Sequence, residues 1–264
     1  MNFKPLQNGL CDGFVLIKKC EVKKTKNGSS YQDLVIGDKD GEMPAKYLDF
    51  NGGDLFEEES VVKVRGAIEQ YNGRDQFRIQ QIRPAAETDQ YNLSDLVPSS
   101  AVGGRQIYDM MMKKVSAFQD QDLKALVTDI MESKKEILVT SPAAFRLHHA
   151  MVGGLMLHTM SIVRMAEQIC KIYPNINREL LLSGAILHDV AKTWEFTFSK
   201  TGLVKGYSEG GELIGHLVEG AMWVDSAAKR LGVPQEKAQL VEHMILSHHG
   251  VPEFGSPVRP MFVE

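Results

Sequence analysis

The strongest constraint on this fold is a change of hydrophobic period part-way along the chain. From about Asp12 to Arg83, apolar residues fall in short β-rich runs separated by turn residues, the pattern of strands. Beyond Gly104 they recur at three- and four-residue spacing, the pattern of helices. The 264 residues are therefore expected to be multi-domain: a β unit over 1–85, a linker rich in Pro, Ser, Gly and Asp over 86–105, and a helical unit over 106–264.

The β unit reads as five strands: GFVLIKKCEV, YQDLVIGD, MPAKYLDF, VVKVRGAIEQ and QFRIQQI. Asn27-Gly28 and Asn72-Gly73 mark hairpins, and Asp38-Lys39-Asp40-Gly41 marks a further turn. GGDLFEEES, of helical or loop composition, separates the first three strands from the last two. Five strands in this order suit a small β-barrel, the OB-fold, which offers oligonucleotides its central strands and the loops joining strands 1–2 and 4–5. Those loops carry Lys23, Lys24, Lys26, Tyr71 and Arg74. One reading makes them contacts to a single strand, by stacking and a positive track; the other makes the lysines the solvated edge of a hairpin.

Composition narrows the partners. A net charge of −4 argues against binding nucleic acid by bulk positive charge, but leaves room for a local basic groove. Cys11, Cys20 and Cys170 are too few and too widely spaced for a disulfide framework or a thiolate metal site. The N-terminal residues have no signal-like pattern, and no apolar run approaches the roughly 18 residues of a spanning helix. A cytoplasmic protein with no membrane partner is expected.

In the helical unit, Ile107, Met111, Val115 and Phe118 form one stripe, and Leu123, Leu126, Val127, Ile130 and Met131 another. His158 shares a helical face with Leu155, Ile162, Met165 and Ile169, and so is expected to point inward. Asn177 suits the N-cap of an almost wholly apolar helix that ends in His188-Asp189. A carboxylate in a last turn opposes the helix dipole, and one near a domain centre needs a partner. A metal cation would answer both objections; an ion pair with Lys192 is the alternative. His216 lies early in GELIGHLVEGAMWVDSAAKRL, a helix closed by Gly232, and Pro234 suits the first position of the next. There His248 shares a face with Val241, Met244 and Ile245. His249 is a second-tier metal or phosphate contact, and His243 a structural residue. Four inward imidazoles with one carboxylate suit Mn²⁺, Fe²⁺, Co²⁺ or Zn²⁺ better than Mg²⁺.

The inward His158, the doublet His188-Asp189 with Lys192 after it, His216 and the HHG ending at Gly250 resemble the HD superfamily of metal-dependent phosphohydrolases. With the barrel in front, and with HHAMVGGLMLHT, LHDVAKTWEF and LSHHGVPEFGSP, the chain resembles the YhaM-type 3′→5′ exoribonucleases. That resemblance implies a C-terminal all-α HD domain with a two-metal site, Mn²⁺ preferred. Its ligands would be His158, His188, Asp189, His216 and His248, with Asp189 bridging and Lys192 holding the scissile phosphate. It implies release of nucleoside 5′-monophosphates from single-stranded RNA, with single-stranded DNA a further substrate and a homo-oligomer a compatible assembly. His148 and His149 would touch substrate or form a polar helix entry. Phe196, Phe198 and Tyr207 would pack a Gly-rich loop or stack the terminal base. The competing readings are an HD phosphohydrolase of a nucleotide or cyclic nucleotide, and a non-catalytic single-strand-binding protein. The family takes a further Asp ligand after the HHG segment, whereas no Asp follows Asp225 here, and residues 260–264 read as the first turn of a helix. An incomplete chain is therefore expected, with one metal position under-coordinated unless another subunit supplies the missing group.

Overall fold

Strand alternation, two register shifts and two-residue turns are enough to close the first unit. In the computed structural model, the described residues are 3–5, 9–25, 27–50, 52–53, 55–86, 88–92, 95–97, 102–144, 151–199 and 201–264. The strands are β1 (Lys4–Pro5), β2 (Cys11–Lys24), β3 (Ser30–Asp38), β4 (Gly41–Tyr47), β5 (Val61–Tyr71) and β6 (Arg74–Pro84). They run in the order β1-β2-β3-β4-β6-β5, and β5 pairs back onto β2. β4 and β6 are parallel; every other pairing is antiparallel. This is the five-stranded Greek-key barrel of the OB-fold, with β1 an added two-residue edge.

β2 makes closure possible. Its first half, Cys11 to Leu16, pairs with β5 and its second half pairs with β3. A register shift between Ile17 and Lys19 follows just after the changeover at Leu16, the bend that a bulge gives a strand turning a barrel corner. Val15, Ile17, Leu34, Ile36, Ala45, Val62, Val64, Phe77 and Ile79 fill the interior. At the β5–β6 turn Tyr71 faces Arg74, and Asn72 and Gly73 take φ of 52° and 73°, the left-handed pair a tight hairpin needs. The interruption before β5 contains no helix among its described residues.

The chain divides into two compact units, Met1–Ser99 with Ser199–Leu203, and Ser100–Phe198 with Val204–Glu264. The second unit contains α1 (Gly104–Ser116), α2 (Gln121–Ser133), α3 (Lys135–Leu138), α4 (Gly154–Ile172), α5 (Arg178–Leu187) and α6 (Lys192–Glu195). A hairpin of β7 (Phe196–Phe198) and β8 (Val204–Tyr207) follows, then α7 (Glu209–Leu213), α8 (Gly215–Leu231) and α9 (Gln235–Ser247). Both stripes expected on α1 and α2 are buried. The Asp120 side chain caps α2, accepting from the backbone N–H groups of Asp122 and Leu123. Asn177 caps α5 through Leu180 N–H. α5 is the central helix: Leu180 and every residue from Leu182 to Leu187 are buried. Truncating a leucine such as Leu182 or Leu187 to Ala there costs about 2–5 kcal/mol.

The structure departs from the sequence pattern at four places. On α4 the buried stripe is Leu155, Met156, Thr159, Met160, Val163 and Ala166; Met165, expected inside, is 62% exposed. The segment holding His216 is two helices, because Gly215 takes φ of 76° and breaks it just before the histidine. Pro234 is the N-cap of α9 and not its first residue. Residues 260–264 form no helical turn: Met261 N–H donates to His243 Nε2, and Glu264 Oε1 accepts from Asn177 N–H. No helix among the described residues is long and apolar enough to cross a membrane.

Candidate metal centre and nucleic-acid residues

The packing of α5 against α4 and α9, and of α9 against α8, brings four histidines to one aspartate and a fifth beside them. His188 is the C-cap of α5 and Asp189 follows it, 2% exposed. Asp189 Oδ2 lies 3.2 Å from His188 Nε2 and 3.4 Å from His158 Nε2 on α4. Its other oxygen, Oδ1, lies 3.4 Å from His216 Nε2 on α8 and 3.5 Å from His248 Nε2 after α9. The ring of His249 meets those of His248 and His216, at centroid distances of 4.4 and 5.2 Å. Two groups result whose ligand atoms lie within 4.8 Å of one another: His158, His188 and Asp189, and His216, His248 and His249.

The rings are held as well as gathered. Nδ1 of His188 contacts Ala185 O at 2.9 Å, that of His248 contacts Ile245 O at 2.7 Å, and that of His249 contacts Phe254 O at 2.7 Å. Nδ1 of His216 contacts Glu195 Oε1 at 2.8 Å. A carbonyl or carboxylate can only accept, so each Nδ1 carries the proton and each Nε2 keeps its lone pair, as a metal-binding imidazole requires.

Asp189 Oδ1 and His216 Nε2 are buried and make no hydrogen bond. Two acceptor atoms 3.4 Å apart without a donor are costly, and a cation between carboxylate and imidazole removes the cost. The donor set of neutral imidazoles and one carboxylate therefore fits a divalent metal. Burial alone would raise the Asp189 carboxyl; His188 and Lys192 beside it outweigh that and hold it well below the usual carboxylate range. Burial pushes His248 and His249 down from the usual imidazole value.

Lys192 Nζ sits 2.7 Å from Asp189 Oδ2, so the ion pair weighed for this residue exists alongside the histidine cluster. Both line a cavity of about 730 Å³, whose walls are otherwise largely apolar, with Ile162, Met165 and Met244 among them. His243 Nε2 accepts from Met261 N–H, and its ring meets that of Phe262 at a centroid distance of 5.2 Å. Phe196 and Tyr207 pack edge-to-face at 5.2 Å within their own hairpin.

In the barrel, Tyr71 is 65% exposed and faces Arg74 across the tight turn. Lys23 and Lys24 end β2 itself, outside the loop proper. Lys23 is paired with Asp33 and Glu21, while Lys24 is exposed. Lys26, His148 and His149 lie outside the described residues.

A family model described as HD domain matches residues 156–261. A second model, that of a helicase, matches residues 100–192 and overlaps the first over α4 and α5. The 3′-5′ exoribonuclease YhaM of Bacillus pumilus is 32% identical over 257 residues, covering 96% of this chain and 80% of that relative. The chain belongs to the YhaM family of 3′-5′ exoribonucleases. The family member from Bacillus subtilis is 30% identical over 255 residues, covering 96% of this chain and 80% of its own length. Among solved structures, a replication protein A heterotrimer bound to ssDNA aligns over 30% of this chain and 59% of its own, with 15% identity and a TM-score of 0.25. That score carries no weight; the barrel rests on its strand order. The geometry adds to the expected set one residue that sequence reasoning missed, Glu195, 6% exposed. Its only sequence signal is a carboxylate in the otherwise uncharged run TWEF.

Proposed function

We propose that this chain is a metal-dependent exonuclease that shortens single-stranded RNA from its 3′ end, releasing nucleoside 5′-monophosphates, with Mn²⁺ as the working metal and Fe²⁺, Co²⁺ or Zn²⁺ as substitutes. The observation that carries this reading is the buried, donorless pair of Asp189 Oδ1 and His216 Nε2 within a cluster where His158, His188, His216 and His248 each direct Nε2 to one carboxylate. His158, His188 and Asp189 form one ligand set; His216, His248 and His249 form the other. Asp189, with one oxygen toward each, would serve both sets, and His249 would join the second set in place of a second-tier role. A pair of divalent ions stabilises the attacking and leaving oxygens of an in-line phosphoryl displacement.

The chain's own groups do the rest. Lys192 offers its ammonium as a point charge to a non-bridging phosphate oxygen. His188, His216, His248 and His249 offer Nε2 to a cation because Nδ1 of each is committed to a fixed acceptor. The barrel holds the strand, with Tyr71 as a stacking surface and Lys24 and Arg74 as phosphate contacts. RNA being an intracellular polymer, we assign the activity to the cytoplasm.

The test incubates the purified protein with Mn²⁺ and a 5′-labelled oligoribonucleotide, its DNA counterpart, or a panel of nucleotides and cyclic nucleotides. Progressive 3′ shortening with nucleoside 5′-monophosphate as product, abolished by chelation, is expected. Hydrolysis confined to the small molecules would make this an HD phosphohydrolase of nucleotides. Tight strand binding without hydrolysis under any metal would make it a binding protein.

A further inference from the structure

We infer that Glu195 is the positioning residue of the second ligand set, fixing both the tautomer and the aim of His216. This rests on the reading that His216 is a metal ligand. The argument begins from where each histidine stands on its helix. His188 and His248 are C-caps, of α5 and α9, and each uses the carbonyl three residues back, Ala185 O and Ile245 O. Carbonyls at a helix end lack intrahelical partners and are free to accept. His216 is the second residue of α8, at the opposite kind of end, where the spare groups are N–H donors and no carbonyl is on offer. Its acceptor has to come from elsewhere in the chain.

Glu195 supplies it from α6. One carboxylate oxygen, Oε1, accepts both the His216 backbone N–H at 3.0 Å and its ring Nδ1–H at 2.8 Å. Backbone and ring are thereby tied to a single atom, which leaves Nε2 facing Asp189 Oδ1. The carboxylate also lies at the positive end of α8, where negative charge is favoured. Glu195 is itself held firmly: its carbonyl accepts from Ser208 N–H at 2.8 Å, and α7 packs so close that a Cβ on Gly211 would sit 2.2 Å from that carbonyl oxygen. A carboxylate partner raises the donor strength of an imidazole more than a carbonyl does, so His216 differs from His188, His248 and His249, whose Nδ1 atoms meet carbonyls.

The test compares wild type with Glu195→Gln and Glu195→Ala. Mn²⁺ binding is measured by titration of the chelator-treated full chain, and the His216 tautomer by ¹⁵N NMR of the metal-free protein. The Gln variant matches Glu in size, keeps an accepting oxygen and loses only the charge. We expect both variants to weaken one Mn²⁺ position by about 10–100-fold, the usual effect of losing an outer partner, and to leave the other within twofold. In the Ala variant the Nδ1–H tautomer of His216 should also give way to a mixture. Equal weakening at both positions, or an unchanged tautomer with binding within twofold throughout, overturns the inference. If wild type itself neither binds Mn²⁺ nor cuts RNA, the parent reading fails, and the metal-free tautomer still decides the role of Glu195.

Discussion

The two units use charge in opposite ways. In the helical unit, polar side chains from α4, α5, α8 and α9 converge on one buried carboxylate, and most of their hydrogen bonds are spent holding ring orientation. In the barrel, charged side chains are exposed or half-buried and pair with one another: Lys23 and Lys46 with Asp33, Lys18 with Glu59, Arg65 with Asp12, Arg78 with Glu69. The first arrangement makes sense only around a ligand, since it leaves buried acceptors facing each other. The second is self-sufficient, and a strand would bind it by competing with pairs that already exist. Single changes in the helical unit should therefore be decisive, and those in the barrel graded.

The sharpest way to break this contrast is Asp189→Ala. Removing the carboxylate common to both ligand sets should cost well beyond the 10–100-fold typical of an outer partner in turnover, and should remove Mn²⁺ from the purified protein. Strand binding by the barrel should stay near its wild-type value. Metal stoichiometry, turnover and a binding isotherm check the three parts; normal metal content with normal turnover would undo the site.

Gly66→Ala tests the contrast from the other side. A Cβ there would lie 2.0 Å from Arg78 O and 2.9 Å from a ring carbon of Phe77, at the register shift between Arg65 and Gly66. Overpacking of this kind costs about 1–3 kcal/mol. The barrel should melt earlier and bind RNA less well, while Mn²⁺ content is unchanged. Loss of metal along with barrel stability would show that the units are not independent.

What was legible in the sequence follows the same division. Alternating apolar residues and Asn-Gly turns specify strand order locally, so the barrel could be read off the chain; β1, only two residues long, carries no period and could not. The clustered histidines were legible because several fell on faces shared with apolar residues. Periodicity says which residues share a face and not which face is buried: the stripe through His158, Ile162 and Met165 is real, but it lines the cavity while the neighbouring stripe packs the core. The break before His216 was hidden because a glycine with positive φ looks no different from any other glycine. Glu195 was hidden because its contact with His216 spans 21 residues and obeys no local rule.

Tyr71→Ala should weaken single-strand binding by about 1–3 kcal/mol, the range for one base stack, or roughly 5–150-fold. Hydrolysis of a dinucleotide should change little. Filter binding with long and short RNA separates the outcomes. Equal loss on both would remove the barrel's role as a strand holder and favour the nucleotide-hydrolysing alternative.

The smallest effect, and the one most specific to the barrel, concerns Asp33. Burial alone would lift its carboxyl, but the hydrogen bonds from Lys23 and Lys46 hold it below the usual range. The folded value is depressed, so the contribution to stability is present in full above the unfolded value near 3.8. It is lost as the pH falls through the lower folded value. Because these groups are only partly buried and Lys23 is half-exposed, that contribution is small, within the 0–1 kcal/mol typical of surface ion pairs. Asp33→Asn should therefore leave the neutral-pH melting temperature almost unchanged and remove a shallow part of the acid slope below pH 4. The same change releases two lysines from a competing carboxylate. Binding of single-stranded RNA should then tighten a few-fold at low salt, and its salt dependence should steepen by up to about one unit per freed lysine. A variant that binds more weakly would mean that Asp33 holds the lysines in their RNA-binding positions, and the barrel would then be as pre-organised as the metal centre.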